Sequence, residues 1–209
     1  MSTLSPSPET QNQLTRRILL LALPLILSNS GYVIMQFMDG MFLSWYSPAA
    51  VAAVGASGLA SWLLISVFIG TAGYASAFAA QFMGAGHNEK IGPVVWQSTY
   101  FSIASAIPVT AVGLFSESLF RMAGHGPDLV PLEAEYFRIV CFGSIAALLS
   151  NSFSTFFTGR GDTKTLMSVQ IGGLVINGVL DYVLIFGHWG FPRLGIGGAA
   201  LATVVSQCA

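Results

Sequence analysis

Hydrophobic residues run through this chain in six long stretches, separated by short polar or glycine- and proline-rich connections. The stretches cover residues 18–43, 49–83, 94–115, 131–157, 165–186 and the residues from 198 onward. An α-helix needs about 20 apolar residues to cross a bilayer. Strands are a poor interpretation, because the stretches are too long and a bilayer does not tolerate open sheet edges. The pattern predicts an all-α membrane protein, a bundle of six transmembrane helices.

The two ends of the chain differ from the regular pattern. Residues 1–17 are mostly polar and end in Arg16 and Arg17, and the apolar run behind them is too long for a signal peptide. We therefore expect a cytoplasmic tail over 1–17 and one transmembrane lobe over 18–209. The sixth stretch is too short to span by residue 209, so we expect its helix to be truncated.

Charge is scarce and evenly balanced. Only 8% of the 209 residues are charged, with eight Lys and Arg against nine Asp and Glu, whereas soluble domains carry about 25%. No basic patch for nucleic acid is present. The two cysteines define no disulfide framework, and no phosphate-binding loop for ATP occurs. The three histidines, His87, His125 and His188, are expected in solvated loops and have no metal-ligand spacing.

The basic residues favour one orientation in the membrane. If the N-terminus is cytoplasmic, the inner flanks carry Arg16, Arg17, Lys90, Arg160 and Lys164. The outer side then carries Arg121 and Arg193, with Arg138 near the outer end of segment 4. This asymmetry follows the positive-inside rule. Near the same end, Glu133, Glu135 and Arg138 are expected to form exposed pairs along a helix.

Two acidic residues fall inside predicted spans, Asp39 in segment 1 and Asp181 in segment 5. A carboxylate near a helix centre costs roughly 2.5–3.5 kcal/mol on insertion, so it generally faces a cavity or a partner. Segments 1 and 5 both run outward, which places the two acids at similar depth. We predict that they share one cavity.

The polar neighbours of these acids recur at helical spacing. Gln170, Asn177 and Asp181 share one face of segment 5, with Gly173 beside them. Segment 1 places Ser28, Tyr32, Gln36 and Asp39 on one face, and Pro24 is expected to break and bend this segment. Segment 4 carries a weaker stripe, which contains Tyr136, Gly143, Ser150 and Ser154 with Asn151 at its side.

Simpler interpretations of the uncharged residues stay open. Ser, Asn and Gln also join helices as interhelical hydrogen-bonding groups, and this is the better interpretation for Ser150 and Ser154. Asn177 fits either role. Tyr136 fits an interfacial anchor equally well, and Thr203 in segment 6 fits a bond to its own helix backbone.

Several motifs resemble the multidrug and toxic compound extrusion (MATE) family. They are Leu23-Pro24-Leu25, Met38-Asp39-Gly40, residues 157–164 (FTGRGDTK), residues 177–187 (NGVLDYVLIFG) and residues 190–203 (GFPRLGIGGAALAT). The resemblance implies a twelve-helix transporter of two lobes, of which this chain is the first. The second six-helix lobe is then a missing partner.

The resemblance also implies the function and its residues. Family members are antiporters, not enzymes, that export cationic lipophilic drugs in exchange for Na⁺ or H⁺, here across the inner membrane and with no cofactor. The cation and substrate site would comprise Asp39, Asn177, Asp181, Tyr136 and Thr203, with Na⁺ possible at the first three. The helix 1 proline, Pro24, would be the conformational hinge.

Other functions remain as alternatives. Two intramembrane aspartates also occur in aspartyl proteases, but Gly178-Val179-Leu180 precedes Asp181 where that class has GxGD. A basic cavity would favour a lipid flippase of related fold, but these spans are nearly free of Lys and Arg. A nonfunctional transporter fragment is the fourth interpretation.

Overall fold

The protein folds into long α-helices joined by short connections. A computed structural model describes the backbone of residues 11–208, and no strand occurs in that range. Within the first helix, the side chains outside the described part are those of residues 11–14, 17, 18, 20, 21, 24, 25, 27–29 and 32. The predicted all-α architecture is confirmed.

The helices follow one another with little intervening chain. Helix α1 spans Gln11–Tyr46. It is followed by α2 (Pro48–Gly73), α3 (Ala75–Gly84), α4 (Ile91–Leu114), α5 (Ser116–Met122), α6 (Val130–Phe142), α7 (Ser144–Gly159), α8 (Thr163–Phe186) and α9 (Ile196–Ser206). A 3₁₀ turn, Asn88–Lys90, leads into α4.

Two of the predicted segments are each built from two helices. Segment 2 is α2 with α3, which together make one apolar span over Pro48–Gly84. Segment 4 is α6 followed by α7, bent by 44°. Segment 3 corresponds to α4, and α5, which is bent by 61° from α4, lies beyond the predicted end of that segment. The loop expected from residue 121 begins only after Met122, because α5 continues to that residue.

The spans can be counted from length and apolar composition. Among the described residues, Pro48–Gly84 and Thr163–Phe186 are each long and apolar enough to cross a membrane. Each of the two bent pairs adds one more if it crosses as a unit. Helices α1 and α9 correspond to the first and the sixth predicted segments.

The backbone of helix α1 is continuous through position 24. The predicted interruption at Pro24 is therefore wrong, because a proline removes one backbone donor while the neighbouring turns keep theirs. The Pro24 side chain itself lies outside the described part of the chain. Its role as a hinge stays a prediction.

Local chemistry explains where several helices begin and end. Pro48 occupies the first turn of α2, where its missing N–H is not needed. Asp162 caps α8, since its carboxylate accepts from Thr165 N at 3.3 Å and from Thr165 Oγ1 at 2.8 Å. Gly187 ends α8 with φ 75°, a conformation that glycine adopts at low cost.

The helices pack around two hydrophobic clusters. Helix α1 packs against α8, α8 against α9, and α9 against α6, while α6 also contacts α2 and α4. One cluster joins α1, α2, α6, α8 and α9 and contains Leu43, Tyr136, Ile185 and Ala200. The other joins α2, α4, α5, α6 and α7 around Phe137 and Leu148.

Small residues let several of these helices approach closely. At the α6–α7 bend, a Cβ on Gly143 would collide with the Val204 side chain of α9. A Cβ on Gly159 would lie 2.5 Å from Ala79 Cβ of α3. The bend and the end of α7 are therefore tightly fitted to their neighbours.

Candidate functional site

The two acids predicted from the sequence meet between α1 and α8. Asp39 is 7% exposed and Asp181 is fully buried. Each carboxyl group lies within hydrogen-bonding reach of the other. The sequence brings them together because α1 and α8 pack along each other and both acids lie toward the same end of the bundle.

Asn177 bridges the pair from one turn before Asp181. It is fully buried, and its amide is assigned with the nitrogen facing both carboxylates, as the hydrogen-bond network requires. In this orientation the nitrogen donates to Asp39 Oδ1 at 3.0 Å and to Asp181 Oδ2 at 3.3 Å. One amide therefore satisfies two buried acceptors on different helices.

Thr203 of α9 completes the cluster. Its hydroxyl lies 3.4 Å from Asp39 Oδ2 and 3.0 Å from the backbone oxygen of Ala199. A hydroxyl has a single hydrogen, so it donates to one of these acceptors at a time. Both sequence interpretations of Thr203, as site residue and as backbone partner, thus describe contacts that the structure contains.

One oxygen of the cluster has unused capacity. Asp181 Oδ1 is buried and has no hydrogen-bond partner among the described residues. The described partners of the two acids are an amide, a hydroxyl and each other, with no Lys or Arg. A buried carboxylate without a counter-charge is costly, so this arrangement favours binding of a proton or a small cation.

Tyr136 lies close to this cluster but in a different layer. It is 7% exposed and belongs to the core cluster that contains Leu43 and Ile185. Those two residues follow Asp39 and Asp181 by one helical turn. Tyr136 is therefore packed one turn beyond the acids, inside the bundle, and it does not project to the interface as an anchor would.

Some of the remaining polar residues of the predicted faces bond to helix backbone, and others are exposed. Asn151 joins helices, since its amide donates to Ile69 O at 3.2 Å, and Ser154 bonds the backbone of Ser150 at 2.8 Å. Gln170 is exposed and does not join the acid cluster. The side chains of Ser28 and Tyr32 lie outside the described part.

Two glycines of the family-like motifs allow the helices around the site to approach closely, a role that is not predicted from the sequence. A Cβ on Gly178 would lie 2.7 Å from Met38 Cε, and one on Gly198 would lie 2.7 Å from the backbone of Leu184. Gly178 therefore permits the approach of α1 to α8, and Gly198 that of α9 to α8. The sequence signal for this role is position: Gly178 follows Asn177, and Gly198 lies in the first turn of α9.

The charged residues at the start of α6 behave differently from the sequence prediction. Glu133 was expected in an exposed pair, but it is 1% exposed. His125 was expected to be solvated, but its Nδ1 lies 2.7 Å from Glu133 Oε1. The error arises because spacing along one helix does not reveal the loop that folds back over its first turn.

Apolar helices that enclose a buried pair of acids, with no basic partner among their described contacts, are typical of a membrane protein with a functional site inside its bundle. Comparison with known proteins identifies the particular family. The profile of the MatE family matches residues 24–183. The chain belongs to the MatE family of multidrug efflux transporters.

Individual relatives agree with this assignment. The chain is 31% identical over 196 residues to the "Probable multidrug resistance protein NorM" of Thermotoga maritima, covering 93% of this chain and 42% of the relative. It is 34% identical over 196 residues to the "Probable multidrug resistance protein YoeA" of Bacillus subtilis, with the same coverage.

The fold is also that of a solved transporter. A structure described as the "outward-facing conformation of a multidrug resistance MATE family transporter of the MOP superfamily" superposes with a TM-score of 0.79 at 28% identity. The match covers 91% of this chain and 42% of that one. The chain thus spans about two fifths of the length of the proteins that it resembles.

Proposed function

We propose that this chain forms the first lobe of a cation-coupled antiporter that exports organic cations across the cytoplasmic membrane. The family assignment and the names of the relatives, multidrug resistance proteins, support the transport of small molecules. The observation that carries the proposal is the buried Asp39–Asn177–Asp181 cluster, whose described contacts include no basic residue. A second lobe of six helices, supplied by the rest of the protein, completes the transport pathway.

Coupling arises from competition for one negative charge. Two carboxyl groups in contact inside a membrane cannot both ionise at low cost. A proton, or a sodium ion, therefore neutralises the cluster when it binds. An organic cation that had been attracted by the charge then loses its counter-ion and is released outward.

The Asn177 amide can serve either coupling ion. With its nitrogen toward Asp39 and Asp181, it stabilises the carboxyl pair without a metal ion. Turned by 180°, it would present its oxygen to Na⁺, together with oxygens of both acids and the hydroxyl of Thr203. The orphan oxygen Asp181 Oδ1 fits either a proton or Na⁺.

The other predicted residues take part through the helices that carry them. The hydroxyl of Thr203 contacts Asp39, so a change in the charge of Asp39 acts on a residue of α9. Tyr136 packs one turn beyond the acids, on the side of α6. Pro24 is the proposed hinge at which α1 bends when the cluster exchanges its cation, since a proline weakens the backbone bonding of its turn.

The test is cation-driven efflux by the intact protein carrying Asp39→Asn or Asp181→Asn. Vesicles containing each variant are loaded with a fluorescent organic cation, and its movement is followed while a Na⁺ or H⁺ gradient is imposed. We expect each substitution to abolish the response to the gradient, because an amide can neither release a proton nor attract a cation.

The matched control is Asp128→Asn, the same substitution at an exposed loop residue, which should leave efflux unchanged. Expression and folding of all variants are checked by size-exclusion chromatography. If both cluster variants keep wild-type efflux with wild-type dependence on the gradient, the proposed mechanism is wrong.

A further inference from the structure

A third buried acid lies away from the Asp39–Asp181 cluster, in the first turn of α6. Glu133 is 1% exposed, and both of its oxygens face the imidazole of His125. Nδ1 of His125 lies 2.7 Å from Oε1 and 2.8 Å from Oε2. The two residues are eight positions apart, so the pair ties the connection between α5 and α6 back to α6.

The imidazole is held from its other side as well. Its ring packs on Phe120 of α5, with ring centroids 5.6 Å apart, and its side chain is 33% exposed. Phe120 in turn packs edge-on against Phe137 of α6. The pair therefore has one side in the hydrophobic core and one edge open to the surroundings.

Other ionisable groups near the pair have their own partners or point away. On α5, Glu117 and Arg121 pair with each other at 2.7 Å. On α6, Arg138 contacts Ser116 Oγ at 3.5 Å, and Glu135 packs against Gly197 of α9. The remaining ionisable side chains on the connection and on the elements packed against α6 are Asp128, which is exposed, Tyr100, Tyr136 and Cys141.

The geometry determines where a proton can enter. Opposite an ionised Glu133, Nδ1 of His125 carries the hydrogen that is donated to the carboxylate. A second proton therefore binds at Nε2 and converts the ring to imidazolium. This charge compensates the buried carboxylate, which otherwise has only a neutral donor in a region of low dielectric constant.

We propose that His125 and Glu133 form a second proton-binding site, at the predicted outer end of the bundle. When the site is protonated, the charged pair fastens residues 123–129 to the start of α6. When the proton leaves, the pair weakens and this connection opens more often. The inference does not depend on the acid cluster or on transport.

The test is hydrogen exchange of the intact protein in detergent, followed by mass spectrometry over peptides that contain residues 123–130. Exchange is corrected for its intrinsic pH dependence and measured between about pH 5 and 8. We expect protection to fall by roughly fivefold as pH rises, because a hydrogen bond to the carboxylate is stronger from a charged imidazolium than from a neutral ring.

Two variants separate a proton site from a merely structural contact. His125→Gln keeps a donor but cannot gain charge, so protection of residues 123–130 should become independent of pH while the rest of the protein is unchanged. His188→Gln, at an exposed histidine of another connection, should keep the wild-type profile. A flat wild-type profile, or the same pH dependence in His125→Gln, overturns the proposal.

Discussion

At the scale of single residues, Asn177 is the group on which the two acids depend. Its amide nitrogen donates a hydrogen bond to each of the two carboxylates. A buried acceptor that loses its donor keeps the full cost of leaving water. Both the stability of the lobe and its response to cations should therefore be sensitive to this one amide.

We predict that Asn177→Ala lowers the stability of the protein by about 1–3 kcal/mol and weakens cation-dependent efflux. The measurements are thermal unfolding in detergent and vesicle transport. Asn151→Ala is the matched control, because it also removes a helix-joining amide, the one that donates to Ile69 O, but leaves the acids untouched. Equal loss of gradient dependence in both variants would contradict a specific role for Asn177.

The positions of Asp39 and Asp181 could be predicted from the sequence, but the burial of Glu133 could not. The spacing of four between Asn177 and Asp181 places both on one helix face, and the scarcity of charge in the spans makes Asp39 conspicuous. The burial of Glu133 could not be predicted in the same way. Its partner His125 approaches over a loop, and the path of a loop is not encoded in helical periodicity.

At the scale of helices, close approach around the site relies on glycine. Gly178 lies against the flexible end of Met38, while Gly198 lies against the rigid backbone of Leu184. A side chain can move aside more easily than a backbone. The two contacts should therefore respond differently to the same added methyl group.

We predict that Gly198→Ala lowers the free energy of unfolding by about 1–3 kcal/mol and that Gly178→Ala costs less. Gly58→Ala is the control, since nothing lies within 4 Å of its added Cβ and alanine favours the helix by up to about 1 kcal/mol. Thermal midpoints in detergent give the order. If Gly178→Ala proves the more damaging of the two, the assignment of backbone against side-chain contact is wrong.

The extent of the helices was predictable, but their breaks were not. The sequence predicts one segment over residues 131–157, where the structure has α6 and α7 bent by 44°. The bend occurs at Gly143, where Val204 of α9 packs. That cause lies about sixty residues further along the chain, outside the reach of any local pattern.

At the scale of the whole molecule, the orientation in the membrane is predicted from the five basic residues that the sequence assigns to the cytoplasmic flanks. We predict that a membrane-impermeant maleimide applied to intact cells labels a cysteine placed at His188 and not one placed at His87. Both histidines are exposed, and Cys141 and Cys208 are first replaced by alanine.

Opening the cells should make the cysteine at position 87 reactive, which serves as the internal control for accessibility. Labelling of position 87 and protection of position 188 in intact cells would reverse the assigned orientation.

The seating of α9 against the α6–α7 bend has a mechanical consequence. Thr203 contacts Asp39, and its neighbour Val204 fills the notch that Gly143 leaves. Adjacent residues of one helix cannot shift independently. If neutralisation of Asp39 displaces Thr203, Val204 would move with it, and we therefore expect the charge of one carboxyl group to affect the bend between α6 and α7.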